Sequence, residues 1–228
     1  MTIGAYLQVY KNNNKVDFVL SKFREIYPDA PIYLVSDAGD DFTELSKKYN
    51  CFYEHATLNT GVSHIGFNKE QTLTWLLRFY NACKYVNTDH IIYLEDDVLV
   101  RRPIQINPEW NIAGVLINEI PACIVEYLRT KHNAVFNTTL YGACGGTIYK
   151  CSELIKIYDN MVSFINSDFD VFYRDLGVHF GFLDMFMPIF FMMNGYRYEQ
   201  NTELIESHRN SSWRHSHHSI VHGKEIYG

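Results

Sequence analysis

Three consecutive carboxylates, Glu95-Asp96-Asp97, follow directly on the apolar run His90–Leu94. Adjacent acids at a strand end repel one another unless a cation or solvent relieves them. Their oxygens are hard ligands that suit Mg²⁺ or Mn²⁺, ions usually held between one or two carboxylates and the phosphates of a substrate. An exposed acidic turn would look the same, and the triplet alone does not separate the two. Asp37 follows a second apolar run, Pro31–Ser36. In open parallel sheets ligands bind beyond the carboxyl ends of the strands, where both features would gather. The tail adds His208, His215, His217, His218 and His222, half of the ten histidines. Neutral imidazole is a common ligand for ions of the Mn²⁺ class, so each is a candidate or a surface residue.

The elements that must position these groups alternate. Ile3–Tyr10 suits a buried strand, and Val16–Tyr27 spaces Val16, Val19, Leu20, Phe23 and Ile26 as a helix that stops at Pro28. Pro31–Ser36 reads as a strand, Asp41–Tyr49 as a short helix capped by Asp40 or Asp41, and Cys51–His55 as a third strand. After a polar loop, Leu58 to Phe67, Asn68 can cap a long helix with a stripe of Leu73, Leu76, Leu77, Tyr80 and Cys83. His90–Leu94 is then a fourth strand. Such alternation implies right-handed crossovers and a mostly parallel sheet. Later, Gly114–Ile117 and Thr147–Tyr149 read as strands, and Cys123–Lys131, Glu153–Ile165 and Phe182–Asn194 as helices, with Pro188 restricting where the last begins.

Composition narrows the function classes. A formal net charge of −6 argues against nucleic acid and against anionic membrane surfaces. It leaves a phosphate-bearing small molecule open, because one metal ion inverts the local field. Five scattered cysteines without a CxxC pair read as reduced thiols, neither a disulfide framework nor a zinc site. The first residues lack the basic and apolar regions of a signal peptide, and the most apolar stretch, Phe180 to Asn194, is too short to span a bilayer. The expectation is a cytoplasmic protein with no transmembrane segment. Its 17 Tyr and 15 Phe serve core packing first and stacking on rings second.

The order of motifs resembles the GT-A-fold glycosyltransferases, especially the family-two inverting group. That family has a strand ending in an Asp-Gly-Ser-like turn, and this chain has Val35-Ser36-Asp37-Ala38-Gly39-Asp40. The family's Asn-x-Gly loop before an Ala-Arg-Asn-like helix start is similar to Asn59-Thr60-Gly61 followed by Gly66-Phe67-Asn68. Its Asp-x-Asp (DXD) strand end is matched by Glu95-Asp96-Asp97, and its Gly-Gly segment by Tyr141-Gly142-Ala143-Cys144-Gly145-Gly146-Thr147. The family's Glu-Asp pair, a helix and Gly-Tyr resembles Leu183-Asp184 with Gly195-Tyr196 eleven residues on, Leu183 standing where the family has Glu. His222-Gly223-Lys224 resembles the His-Gly-x-x-Lys-like endings of several members.

What the resemblance implies is an α/β fold with a GT-A (Rossmann-like), mostly parallel central sheet flanked by helices. It implies one domain over residues 1–228, with a nucleotide-binding half over about 1–100 and an acceptor half with a metal-binding tail over about 101–228. The implied reaction moves a sugar from a nucleotide-sugar donor, UDP-linked by default, to a hydroxyl of a glycan or glycoconjugate acceptor, with inversion. Asp97 and His222 would hold Mn²⁺ or Mg²⁺. Asp96 and Glu95 would contact ribose or metal-bound water, and Lys224 the phosphates. Asp37, Asn59 and Gly61 would line the nucleoside pocket, and Asp184 would be the catalytic base, the alternative being a helix N-cap. A sugar nucleotidyltransferase would share the sheet and metal, but the place for its Gly-rich loop reads Val9-Tyr10-Lys11-Asn12-Asn13-Asn14. A non-catalytic nucleotide- or glycan-binding module and a retaining enzyme are the other readings. The chain is short for such an enzyme, which also fits one domain of a longer polypeptide.

Overall fold

The computed structural model of the chain describes residues 1–60, 68–142, 144–176, 182–207, 214 and 217–227. Its first half runs β1 (Ile3–Val9), α1 (Asn13–Ile26), β2 (Ile32–Asp37), α2 (Thr43–Lys48), β3 (Phe52–Ala56), α3 (Lys69–Val86) and β4 (His90–Leu94). There follow β5 (Val98–Val100), β6 (Ile112–Gly114), β7 (Asn118–Glu119), α4 (Ala122–His132), β8 (Leu140–Tyr141), β9 (Ile148–Lys150) and α5 (Cys151–Asp170). A π turn (Val171–Asp175) leads on to α6 (Phe182–Met193), β10 (Tyr198–Gln200), β11 (Leu204–Glu206), β12 (Ile220–His222) and a 3₁₀ turn (Lys224–Tyr227).

Seven strands form the central sheet in the order β10-β6-β9-β4-β1-β2-β3. The four strands of the first half are mutually parallel, β9 runs against both β4 and β6, and β10 is parallel to β6. The mostly parallel α/β architecture expected from the alternation is therefore the one observed. β2 and β4 are buried along their whole length because the sheet is covered on both faces. Tyr6, Ile91 and Tyr93 pack with Trp75 and Phe79 of α3 and with residues of α5 and α6 on one face. Ala5, Leu7, Ile92 and Leu94 pack with Val16, Leu20 and Phe23 of α1 on the other. A second sheet, β11-β12-β5, stands beside it, with β12 parallel to β11 and antiparallel to β5.

Asn68 caps α3 as expected, in a reciprocal capping box with Gln71. The buried stripe of α3 is rotated from the expected one. Trp75, Leu76, Phe79, Ala82, Cys83 and Val86 are buried, whereas Leu77 is 44% exposed. The sheet-facing side is aromatic, Phe79 stacking on Tyr6 with ring centroids 5.1 Å apart. Leu73 and Tyr80 are only partly buried, and Tyr80 stacks on Tyr158 of α5 at 4.1 Å. Helix α1 begins before the expected Val16, because the Asn12 side chain accepts from the Lys15 amide. Helix α5 outruns its expected end at Ile165. Near its end the buried Asp168 carboxylate accepts from Lys131 Nζ at 2.7 Å and contacts His132 Nε2 at 3.0 Å, which ties it to α4. The strands expected at Gly114–Ile117 and Thr147–Tyr149 are displaced to Ile112–Gly114 and Ile148–Lys150. All five cysteines are free, and among the described residues no helix is long and apolar enough to cross a membrane.

Candidate active site

The buried strand β4 delivers Glu95 to the carboxyl edge of the sheet, and a tight turn follows in which the Val98 amide donates to the Glu95 carbonyl at 3.1 Å. The turn sends Glu95 and Asp97 to one side and Asp96 to another. Strand β12 runs antiparallel to β5 and sets His222 opposite Val98. The Gly223 amide then donates to the Asp97 carbonyl at 2.9 Å, locking the two segments together. His222 Nε2 lies 3.2 Å from Glu95 Oε2 and 3.4 Å from Asp97 Oδ1. One ligand atom from each of Glu95, Asp97 and His222 falls within 4.8 Å of the other two. Two carboxylates and an imidazole are a donor set suited to Mn²⁺ or Mg²⁺, and they leave room for oxygens of a ligand. Gly145 forms one wall: a Cβ there would lie 2.9 Å from both Glu95 Oε2 and His222 Nε2. Only a residue without a side chain leaves that space clear.

Glu206, which sequence reasoning missed, completes the group. Parallel pairing of β11 with β12 sets it beside His222, and its Oε1 lies 3.0 Å from His222 Nδ1. Such a contact fixes the ring so that Nε2 faces the other two acids. Burial by itself would lower the His222 pKa, but hydrogen bonds to Asp97, Glu206 and Glu95 reverse this and hold it well above the usual value. The spot therefore strongly favours positive charge. Glu206→Gln keeps the size and one acceptor oxygen but removes the negative charge. It is expected to weaken Mn²⁺ binding about 10- to 100-fold with the fold intact, as isothermal titration with Mn²⁺ alone would show.

The other expected residues divide. Glu95, assigned a supporting role, lies in the cluster itself, and Asp96 lies outside it with its Oδ2 3.6 Å from Lys15 Nζ. Burial raises the Asp96 pKa and the Lys15 charge opposes it, with Lys224 acting the same way as Lys15. Lys224 is exposed at the start of the 3₁₀ turn. Among the tail histidines, His222 alone belongs to the cluster of described residues. His217 and His218 stack on each other and are not among its members, and His208 and His215 lie outside the described residues.

Asp184 sits in the first turn of α6 rather than at its cap, and its Oδ1 accepts from the Cys144 amide at 2.8 Å. Burial, and next the charge of Glu95, push its pKa up to about 6 against the pull of that amide and of His222. Asp184 is thus electrically part of the same site, poised near neutrality as a general base requires. Tyr141 feels the Asp184 charge in turn, after its own burial.

Asp37 is placed differently from the expectation that it touches a nucleoside. Its carboxylate is wholly buried and accepts from Arg78 Nη1 at 2.7 Å, the Thr60 amide at 2.9 Å and Thr60 Oγ1 at 3.0 Å. Asn59 Nδ2 donates to the Asp37 carbonyl at 3.1 Å, and Arg78 Nη2 to the Leu58 carbonyl at 2.8 Å. Asp37 and Asn59 therefore brace residues 58–60 at the carboxyl edge of the sheet. The reason is the buried guanidinium: removing one partner of such a pair costs about 3–5 kcal/mol, so the carboxylate stays with Arg78. Gly61, Gly66 and Phe67, expected to continue this loop, lie outside the described residues.

A mostly parallel sheet with acids and a histidine gathered at its carboxyl edge has the form of a GT-A-like fold. A solved galactosyltransferase, LgtC, determined in complex with donor and acceptor sugar analogues, matches 96% of this chain and 86% of its own. That match has a TM-score of 0.55 at 14% identity, which establishes the fold. S. aureus TarS matches 72% of the chain at 11% identity, and the chain spans about a third of that structure's length (33%). Its TM-score of 0.40 is too low to carry an argument. No family model matches the chain, and no curated protein does.

Proposed function

We propose that the protein is a metal-dependent glycosyltransferase that moves a sugar from a nucleoside-diphosphate sugar, UDP-linked by default, to a hydroxyl of a glycan or glycoconjugate. The observation that carries this reading is the convergence of Glu95, Asp97 and His222 at the end of β4 in a GT-A-like fold. Breaking the bond between the sugar and the phosphate passes through an oxocarbenium-like transition state, as glycoside hydrolysis does. When bound, a divalent cation offsets the charge that builds on the departing diphosphate. Glu95, Asp97 and His222 would hold it, with Glu206 orienting the imidazole. Lys224 adds a direct positive charge on the phosphate side. Asp37, Asn59 and Arg78 support the pocket wall rather than touch the nucleoside.

Asp184 takes the proton from the acceptor hydroxyl, and the expected outcome is inversion at the anomeric carbon. Its raised pKa favours this: a carboxylate near 6 is a better base than an ordinary one and is still ionised at pH 7. The Cys144 amide holds one oxygen and so aims the group.

The test is a thermal-shift screen of nucleoside diphosphates and nucleotide sugars, with and without Mn²⁺. The true donor should raise the melting temperature in proportion to the logarithm of its concentration, and only with the metal. No stabilisation by any nucleotide sugar in Mn²⁺ would reject the reading. Release of pyrophosphate from a sugar phosphate and a nucleoside triphosphate would replace it with a nucleotidyltransferase.

A further inference from the structure

Lys15 is the third residue of α1, on the helix that packs against β5 directly behind the acidic turn. Its ammonium lies 3.6 Å from Asp96 Oδ2 and 4.8 Å from the centre of the Tyr227 ring. Tyr227 packs on Phe18 one helical turn further along, ring centroids 5.4 Å apart, which fastens the 3₁₀ turn carrying Lys224 to α1. Two lysines from distant parts of the chain thus flank the one acid of the triplet that the cation cluster does not use. The Tyr227 hydroxyl oxygen is buried beside them with no hydrogen-bond partner among the described residues.

We propose that Lys15 binds the diphosphate of the donor, which replaces Asp96 as the counter-ion of this lysine. This rests on the glycosyltransferase reading and names a phosphate contact within it. Three physical points support it. At 3.6 Å the ion pair is looser than a hydrogen bond, and a pair about one-third exposed is worth only about 0–1 kcal/mol, so it exchanges readily. Lysine serves phosphate as a compact point charge, and its place in the first turn of α1 adds the positive end of the helix dipole. Asp96, which Lys15 pairs with, adjoins both Glu95 and Asp97, and the Lys15 charge also acts on Asp97, so a phosphate that reaches the cluster is within reach of Lys15.

The experiment is isothermal titration of the full chain at saturating Mn²⁺ with UDP, GDP, CDP and ADP, and with the matching monophosphates. For the diphosphate that binds the wild type most tightly, Lys15→Met is expected to weaken binding about tenfold and its monophosphate less than threefold. Lys15→Arg should stay within threefold of wild type for both, and unchanged melting temperatures show that the variants fold. Equal weakening of both nucleotides, or none, would overturn the assignment while leaving the proposed function standing. A wild type that binds no nucleoside diphosphate in Mn²⁺ would overturn the proposed function and this contact with it.

Discussion

Asp97→Ala should abolish Mn²⁺-dependent binding of the nucleoside diphosphate and leave the fold intact. The two halves of that result have separate causes. The main chain at Asp97 is held by its carbonyl, which accepts from Gly223, and by β5, which pairs with β12. None of that needs the side chain. The carboxylate, by contrast, is one of three groups that converge on a single spot, and its pKa is set there: burial raises it and His222 more than compensates, leaving it low. Losing one of three ligands should cost at least about 100-fold in metal affinity, beyond the range of an outer-shell partner such as Glu206. Titration of the variant with nucleotide in Mn²⁺ and in EDTA, alongside circular dichroism, reads both halves. Unchanged Mn²⁺ dependence would remove Asp97 from the site.

Asp184→Asn should slow sugar transfer about 100- to 10,000-fold with little change in donor affinity, because an amide cannot take the acceptor's proton yet still accepts from Cys144. Near-normal transfer to an ordinary acceptor would end the base assignment. The same substitution should act on stability in the opposite direction. The pKa of Asp184 is about 6 in the folded protein against 3.8 for an ordinary Asp. Between those values the folded state binds the proton and the unfolded state does not, so stability falls as pH rises through the window. Metal-free wild type above pH 6 therefore carries a penalty on the order of 3 kcal/mol that the Asn variant lacks. The variant should melt higher than wild type at pH 7.5, and the gap should close toward pH 4.

Strands that are long, apolar and flanked by turn residues were legible from sequence. His90–Leu94 is a strand with the bounds its sequence predicts, and Asn68 is a cap that the sequence predicts because capping chemistry is local. The β11-β12-β5 sheet was not legible. Each of its strands has three residues, too few for a period, and their pairing joins segments far apart in the chain. Glu206 was hidden for that reason: as one acid in Leu204-Ile205-Glu206 it carries no local signal until β11 lies beside β12. Lys15 was missed because the apolar spacing that announces α1 begins only at Val16. Asp37 lies at a strand end as expected, but its partner, Arg78, lies opposite the stripe expected to be apolar, and nothing in the spacing of α3 marks a buried cation.

The antiparallel pairing of β5 with β12 has a consequence for how an ion would come and go. Bringing His222 to Asp97 closes a very long loop, and closure entropy of that kind grows with loop length. Here the closure is met by backbone pairing and by the buried Leu99, Ile205, Val221 and Ile226, all independent of the ion. A structural zinc module is the opposite case, where the metal itself must gather the chain. With its ligands already collected, a protein working as proposed would release an ion together with a spent nucleotide and receive another without refolding between turnovers.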